Sequence, residues 1–351
     1  MNLSAVLRLS WPLLQAPMAG VSTPQMAAAV SNAGGLGALG LGAAGVDGAR
    51  EMVRATRGLT DRPFNANVFC HAPALRDADV EADWLAALTP TFARFGAKPP
   101  EALHEIYTSF VVDRTMCDML IEEAPGVVSL HFGLPDKAWI AELQAAGNLV
   151  FASATNVDEA QGCELAGVDA IVAQGIEAGG HRGTFDPDVE VEALPTLALV
   201  ERLVAACELP VIAAGGLMDG ADVARALARG AAAAQLGTAF LDCAESAADA
   251  AYRAALRDPE QGPPVLTTSI SGRAARCLRN DFVKLGQGLH AKVPDYPVTY
   301  DAGKALNAAA KAAGETGFGA QWAGTGVARV RSGGAAEILE AIGAELNAAQ
   351  A

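Results

Sequence analysis

The sequence predicts an α/β protein, a (β/α)8 TIM barrel with an appended helical and loop-rich substrate cap domain. Three observations lead there. Short apolar runs alternate with amphipathic helical stretches from residue 13 to residue 236. The runs are apolar almost throughout, as expected of parallel strands covered on both faces. Eight such units within about 240 residues suit this barrel, whose usual size is roughly 250 residues. A doubly wound open sheet is the alternative on the same pattern.

In order, the expected strands are 13–16, 36–41, 64–69, 127–132, 149–152, 170–174, 210–214 and 232–236. Helical periodicity fills most intervals, over 23–32, 46–57, 136–146, 157–166, 192–206 and 219–229. The long connection between residues 69 and 127 is expected to hold extra helices near 82–95 and 114–123. After residue 241 the rhythm changes. Residues 242–320 read as helix and loop, with Pro263-Pro264 and a Gly/Pro cluster around 286–297. The expected organisation is a barrel over 1–241, a substrate cap over 242–320, and a C-terminal segment over 321–351 whose helix, 335–349, docks back on the barrel.

Of the 351 residues 51% are apolar but only 5% aromatic, so the core must be built from Ala, Val, Leu and Ile. The formal charge of -15 argues against nucleic acid or an anionic membrane as partner. An anionic small molecule would need a local positive site. The N-terminus lacks a cationic leader with an apolar run, and no apolar stretch of spanning length is free of Gly, Pro or charge. The six cysteines are scattered without a C-x-x-C pair, so neither a metal site nor a disulfide framework is expected. A cytoplasmic location is expected.

The stretch GGLGALGLGAAG, residues 34–45, satisfies G-x-G-x-x-G twice. A dinucleotide fingerprint also needs an acidic side chain at the end of the next strand, to hold a ribose. Asp61 precedes that strand, and Asn67 and Cys70 stand at its far end. The fingerprint fails there.

In such a barrel the reactive groups project from the carboxyl ends of the strands, with phosphate often held after strands seven and eight. After the seventh comes Ala213-Ala214-Gly215-Gly216-Leu217-Met218, and after the eighth Gln235-Leu236-Gly237-Thr238. Glycine permits close backbone approach, free amides suit an anion, and Thr238 adds a hydroxyl. One shared phosphate site is favoured over two unliganded turns. After the sixth strand, His181 sits among Gly179, Gly180 and Gly183, with no bulky sequence neighbour to bury it. Its ordinary pKa near 6.5 would let it exchange a proton near neutrality. Asn67 and His131 stand at strand ends and suit either a buried hydrogen-bonding role or a site role; the Asn67 amide, donor and acceptor together, suits a flavin edge. Tyr296, Tyr300 and Lys304 recur at four-residue spacing, with Pro297 suited to a first helical turn. That spacing puts the three side chains on one helical face, as an anion-binding stripe or as a plain amphipathic surface.

With those residues in view, Gln15-Ala16-Pro17-Met18-Ala19-Gly20, Gln174–Gly183 and Ala213–Thr238 resemble the FMN-dependent nitronate monooxygenases, over about residues 11–331. Those blocks are shared with flavin-type enoyl-acyl-carrier-protein reductases. The set Met18, Asn67, His131, His181, Tyr296, Tyr300 and Lys304 is narrower and is similar to the class I nitronate monooxygenases. The resemblance implies FMN phosphate against Gly215, Gly216, Gly237 and Thr238, with Gln235 and Leu236 in the same block. It implies ring and ribityl contacts from Ala16, Met18, Asn67, Gln174, Gly179 and Gly180. His181 is implied as catalytic base or orienting group, with His131, Tyr296, Tyr300 and Lys304 on the substrate side. Thr325 stands where the family pattern carries Gln, which leaves its role unassigned.

The implied reaction is oxidative denitrification of an alkyl nitronate. The flavin accepts an electron, dioxygen is the co-substrate, and a carbonyl compound and nitrite are the products. On that reading Lys304, protonated His181 and the phenols offset the acidic surface; use of neutral nitroalkanes would need His181 unprotonated. Two other functions fit parts of the sequence: an FMN-dependent enoyl-thioester reductase using NAD(P)H, and a non-catalytic flavin-binding barrel. The reductase gives no reason for the Tyr296, Tyr300 and Lys304 stripe, and the non-catalytic barrel predicts tight FMN binding with no turnover of any nitronate.

Overall fold

The computed structural model describes residues 1–189, 192–258, 260 and 262–351. Eight parallel strands form its centre: β1 (Leu13–Gln15), β2 (Ala38–Gly40), β3 (Phe64–Phe69), β4 (Gly126–His131), β5 (Leu149–Ala154), β6 (Ala170–Gln174), β8 (Val211–Ala214) and β9 (Ala233–Leu236). They lie in the order β1-β9-β8-β6-β5-β4-β3-β2. The ring is completed between β1 and β2 by a parallel bridge of Leu14 with Leu36. That junction has few backbone pairs, and the buried Gln15 side chain supplements them. Its amide donates to Ala38 O at 3.1 Å and accepts from Ala38 N at 2.9 Å. A closed sheet has no open edge to protect.

Helices cover the outside, among them α2 (Pro24–Asn32), α3 (Val46–Arg57), α7 (Val157–Ala166), α8 (Thr196–Ala206) and α9 (Gly220–Ala228). Their starts follow local chemistry. Thr23, Asn156 and Asp219 each accept a backbone N–H in the first turn. The helix expected over 192–206 begins only at Thr196, because Pro195 takes the N-cap position. Glu190 and Val191 lie outside the described residues. The core between sheet and helices is aliphatic, as the composition requires, with Leu13, Leu39, Val128, Ile171, Leu199 and Ile342 buried.

The segment beyond β9 holds α10 (Ala250–Arg257), strands β10 (Val265–Thr267) and β11 (Ala275–Cys277), α11 (Asp281–Gly288) and α12 (Val298–Ala312). The strands were not expected. β10 pairs antiparallel with β11, and β11 pairs antiparallel with a two-residue strand, β7 (Gly180–His181). The expected helix at 82–95 is longer, α4 (Ala78–Arg94), and is capped by Asp77. α4 shares a separate apolar cluster with this segment, including Trp84, Leu88 and Phe92 against Phe282, Leu306 and Phe318. The C-terminal helix α13 (Ala335–Gln350) packs on α9 and α2. No described helix is long and apolar enough to cross a membrane.

The double glycine motif serves packing. A Cβ on Gly37 would overlap the Ala27 carbonyl, and one on Gly40 would collide with the backbone of Ala19. At Gly45, the last glycine of the motif, a Cβ would meet nothing within 4 Å. Gly37→Ala is therefore expected to destabilise by about 3 kcal/mol, the upper end of ordinary overpacking. Gly45→Ala, which meets no steric obstacle and gives up only a glycine N-cap of α3, should cost no more than about 1 kcal/mol. Urea unfolding of the two variants checks the pair.

Candidate active site

A cavity of about 640 Å³ opens at the carboxyl ends of the barrel strands. All but one of the expected site residues line it: Ala16, Met18, Asn67 and His131 from the first half of the barrel, then Gln174, Gly179, Gly180 and His181 after β6. Gly215, Gly216, Gln235, Gly237 and Thr238 follow from β8 and β9, and Tyr296, Tyr300 and Lys304 from the far segment. Leu236 is the exception. Strand alternation turns it the opposite way from Gln235, and it is buried in the aliphatic layer under the helices.

One end of the cavity is an anion cradle. Gly215 and Gly216 have φ of 129° and 70°, conformations that leave their amides turned out of the ladder. Among the described residues nothing accepts from the N–H groups of Gly215, Gly216 or Gly237. Thr238 Oγ1 accepts from Gly324 N at 2.9 Å, which leaves its hydroxyl hydrogen to give. The turn is held from behind. Glu177 accepts from Thr196 N at 2.9 Å and Oγ1 at 2.8 Å, and Thr196 Oγ1 also lies 3.0 Å from Gly215 O. A Cβ on Gly216 would press on the Glu177 side chain at 2.9 Å. Unpaired backbone donors plus one hydroxyl make a donor set that fits a phosphate.

Along the wall, two amides behave differently from expectation. Asn67 spends its amino group on Ser129, at 3.0 Å to the carbonyl and 2.9 Å to Oγ. Its oxygen alone is free, so it presents an acceptor and not a donor–acceptor pair. Gln174 is an internal brace. It donates to His181 O at 2.9 Å and accepts from Gly183 N at 2.8 Å and Arg182 Nη1 at 3.2 Å. Near β1, Ser22 Oγ receives both Gln15 Nε2 (2.9 Å) and Met18 N (3.0 Å), fixing the loop that carries Ala16 and Met18.

His181 departs most from the sequence reading. It lies in β7, in register with Ala275 of β11, and not in an open glycine loop. Its ring centroid is 5.7 Å from Phe132, 5.3 Å from Tyr296, 6.2 Å from Tyr300 and 5.1 Å from Trp322. Bulky neighbours absent from the local sequence arrive from three distant segments. Burial, aided by His131, Arg273 and His71, pushes the imidazole down to about 3. Burial with Arg273 likewise takes His131 down to about 3 and His71 to about 4. His181 is thus neutral at ordinary pH, which corrects the expectation of titration near neutrality and of a protonated ring holding the nitro group.

Tyr300 and Lys304 lie on α12, but Tyr296 precedes it, since Pro297 is the N-cap and the helix starts at Val298. The single helical stripe is therefore two residues, with Tyr296 reaching the same cavity from the preceding turn. Lys304 stands at the mouth with Nζ 4.7 Å from the Tyr107 ring and 5.6 Å from Tyr300. It has no ion pair among the described residues, and burial lowers its pKa. Tyr107, Tyr252 and Trp322 also line the cavity. Tyr107 and Tyr252 stand in no strand end or motif, while Trp322 belongs to the stretch 321–326, which is similar to the family's glycine-rich C-terminal block but gives Trp322 no role.

The amino-acid sequence matches the family model for nitronate monooxygenase over residues 1–345. The chain belongs to the nitronate monooxygenase family. These enzymes are flavin-dependent oxidoreductases. A nitronate monooxygenase of Paraburkholderia phytofirmans is 57% identical over 342 residues, covering 97% of this chain and 93% of that protein. One of Pseudomonas aeruginosa is 51% identical, covering 97% of each. Among solved structures, a nitroalkane oxidase of Streptomyces ansochromogenes superposes with a TM-score of 0.89 at 37% identity, over 100% of this chain and 99% of that one. FabK of Thermotoga maritima gives 0.74 at 28% identity, over 98% and 95%.

Three histidines held neutral have a consequence for stability. Their folded pKa values lie below the unfolded value near 6.5, so the unfolded chain binds more protons between about pH 6.5 and the folded values. Stability conferred above that window is lost as pH falls through it. Near pH 5 unfolding is expected to take up as many as three histidine protons, each adding about 1.4 kcal/mol per pH unit to the slope of stability against pH. His181→Asn should lower the slope by about one proton, read from urea unfolding across about pH 5 to 6.

Proposed function

We propose that the cavity binds FMN and an alkyl nitronate, and that the protein converts the nitronate with dioxygen to a carbonyl compound and nitrite. One observation carries this reading. A single cavity has unpaired backbone donors at one end, and a neutral imidazole with an unpaired ammonium at the other. The phosphate is assigned to Gly215, Gly216, Gly237 and Thr238. The ring system is assigned to the wall between Met18, Asn67, Gly179 and Gly180. When bound, the flavin supplies the acceptor for electrons from the electron-rich nitronate carbon.

The remaining work belongs to the side chains. Lys304, exposed at the mouth and unpaired, attracts an anion against a net charge of -15. Tyr296, Tyr300, His131 and Trp322 exclude water and orient the nitro group. When the substrate is a neutral nitroalkane, the His181 ring takes the α-proton and the C–H electron pair moves into the C=N bond of the nitronate. A base with a folded pKa near 3 is weak alone. The nitronate charge formed beside it raises that pKa, because an opposite charge within about 4–6 Å favours the protonated ring. The segment 242–320, joined by α4, is assigned as the substrate cap.

The purified protein should be yellow and should form nitrite aerobically from propionate 3-nitronate. Bleaching by NADH with none by the nitronate would favour the enoyl-thioester reductase reading that the FabK likeness raises. His181→Asn should lower kcat/KM for a neutral nitroalkane by roughly 10²-fold or more while sparing pre-formed nitronate; equal losses remove the base assignment. Lys304→Met should raise KM for a carboxylate-bearing nitronate about tenfold relative to an uncharged one, for the loss of one partly screened charge contact. An unchanged ratio removes Lys304 from the substrate site.

A further inference from the structure

We propose that Ser271 is a positioning residue that holds His181 as its Nε2–H tautomer, so that Nδ1 is the atom that receives the substrate proton. The inference rests on the reading of His181 as a base and adds which nitrogen acts and what fixes it. Ser271 lies in the turn between β10 and β11, and its side chain is fully buried. Its Oγ is 2.9 Å from His181 Nε2 and 3.2 Å from the carbonyl of Arg273.

A serine hydroxyl has one hydrogen to give. The Arg273 carbonyl can only accept, so the hydroxyl donates to it and accepts from the imidazole. Nε2 must then carry the hydrogen. The opposite arrangement would turn the hydroxyl onto Nε2 and abandon the carbonyl contact. His181 Nδ1 has no partner among the described residues, and it is absent from the fully enclosed unpaired atoms, so it keeps access to the cavity.

The same turn also sets the backbone. Gly272 N donates to Thr268 O at 2.7 Å, and Arg182 N donates to Ala274 O at 2.8 Å, next to the pairing of His181 with Ala275. One hairpin therefore fixes both the position of the histidine and the identity of its free nitrogen. The titratable and charged groups around the ring are His131, His71 and Arg273, with the phenols of Tyr296 and Tyr300. None is a carboxylate that would hold the ring as an imidazolium.

In the reaction the Cα–H bond of the nitroalkane breaks and its proton passes to Nδ1. The electron pair enters the C=N bond, and negative charge settles on the nitro oxygens. The imidazolium keeps its Nε2–H on Ser271, whose oxygen faces the new positive charge. No other reactant is needed for this step.

The test is long-range ¹H–¹⁵N NMR of ¹⁵N-histidine-labelled holoenzyme, with His181 assigned by the signal missing in His181→Asn. The expected spectrum has a pyrrole-type Nε2 and a pyridine-type Nδ1. Ser271→Ala should mix or invert the tautomers and lower kcat for a neutral nitroalkane by roughly ten- to hundredfold, less than the 10²–10⁴ a whole general base supplies. Turnover of pre-formed nitronate should change less than twofold. Ser271→Thr, which keeps the hydroxyl, should restore the parent tautomer. A pyrrole-type Nδ1 in the parent protein overturns the proposal even if no variant folds. So does a folded Ser271→Ala holoenzyme with the parent tautomer and the parent substrate ratio. Failure of the base reading itself has a separate signature: His181→Asn affecting both substrates equally while the parent spectrum stays as expected.

Discussion

The antiparallel pairing of β7 with β11 is the contact on which the rest of the site depends. A barrel strand ordinarily ends in a loop whose conformation is its own. Here the chain leaving β6 is captured, two residues at a time, by a strand that lies almost a hundred positions later. That pairing seats His181, brings Ser271 under its ring, and places Arg273 over Phe132 at 4.3 Å. Cys277, at the other end of β11, bridges to Trp322, which closes the aromatic wall. Long-range backbone bonds do here what a rigid helix does elsewhere: they hold the geometry around His181 on a regular element and leave little to a loop.

Electrostatics follows from the same arrangement. Arg182 and Arg273 are both buried and have no ion pair among the described residues; their donors go to carbonyls and an amide. Burial lowers both to about 10, values at which they still carry charge at neutral pH. Arg273, kept inside by carbonyl dipoles, opposes protonation of both His131 and His181, and Arg182 adds to the effect at His131. The acidic exterior and the positive interior thus act on different species. A surface charge of this sign keeps polyanions away, while an anion already at the mouth meets Lys304 and then a cavity without a facing carboxylate.

The barrel was legible because parallel strands covered on both faces leave continuous apolar runs, and all eight expected strands exist. The glycine turns with unpaired amides were legible because they are local: Gly215-Gly216 and Gly237-Thr238 each follow a strand directly. Three things were hidden, for one physical reason. The pairing of β11 with β7, the membership of α4 in the second apolar cluster, and the aromatic shell of His181 all arise between segments far apart in the chain. Local composition around His181 is glycine, so the sequence argues for exposure, while Phe132, Tyr296, Tyr300 and Trp322 enforce the reverse. Leu236 failed for a smaller reason, since a motif carried over as a block ignores strand alternation. The helical placement of Tyr296 failed similarly, since four-residue spacing puts it on a helix that begins two residues later, although it lines the same cavity.

On the proposed reading of His181 as the base, dehydrating it has opposite effects before and after substrate binds. In the free protein it makes the imidazole a poor proton acceptor, because a lone imidazolium in that setting is poorly hydrated and has no counter-charge. Once a nitroalkane lies beside it, proton transfer creates an ion pair in place of a single charge, and low polarity then strengthens the attraction between the two products. The site therefore resists protonation by solvent and permits it by substrate. The same environment answers for pre-formed nitronate, which needs no base. It finds a neutral ring, two phenols and an ammonium, and loses none of their contacts to a competing buried carboxylate. Proton removal and anion binding thus make compatible demands on one cavity, provided that the ring offers a lone pair to the substrate, a condition met by the hydrogen bond on its other nitrogen.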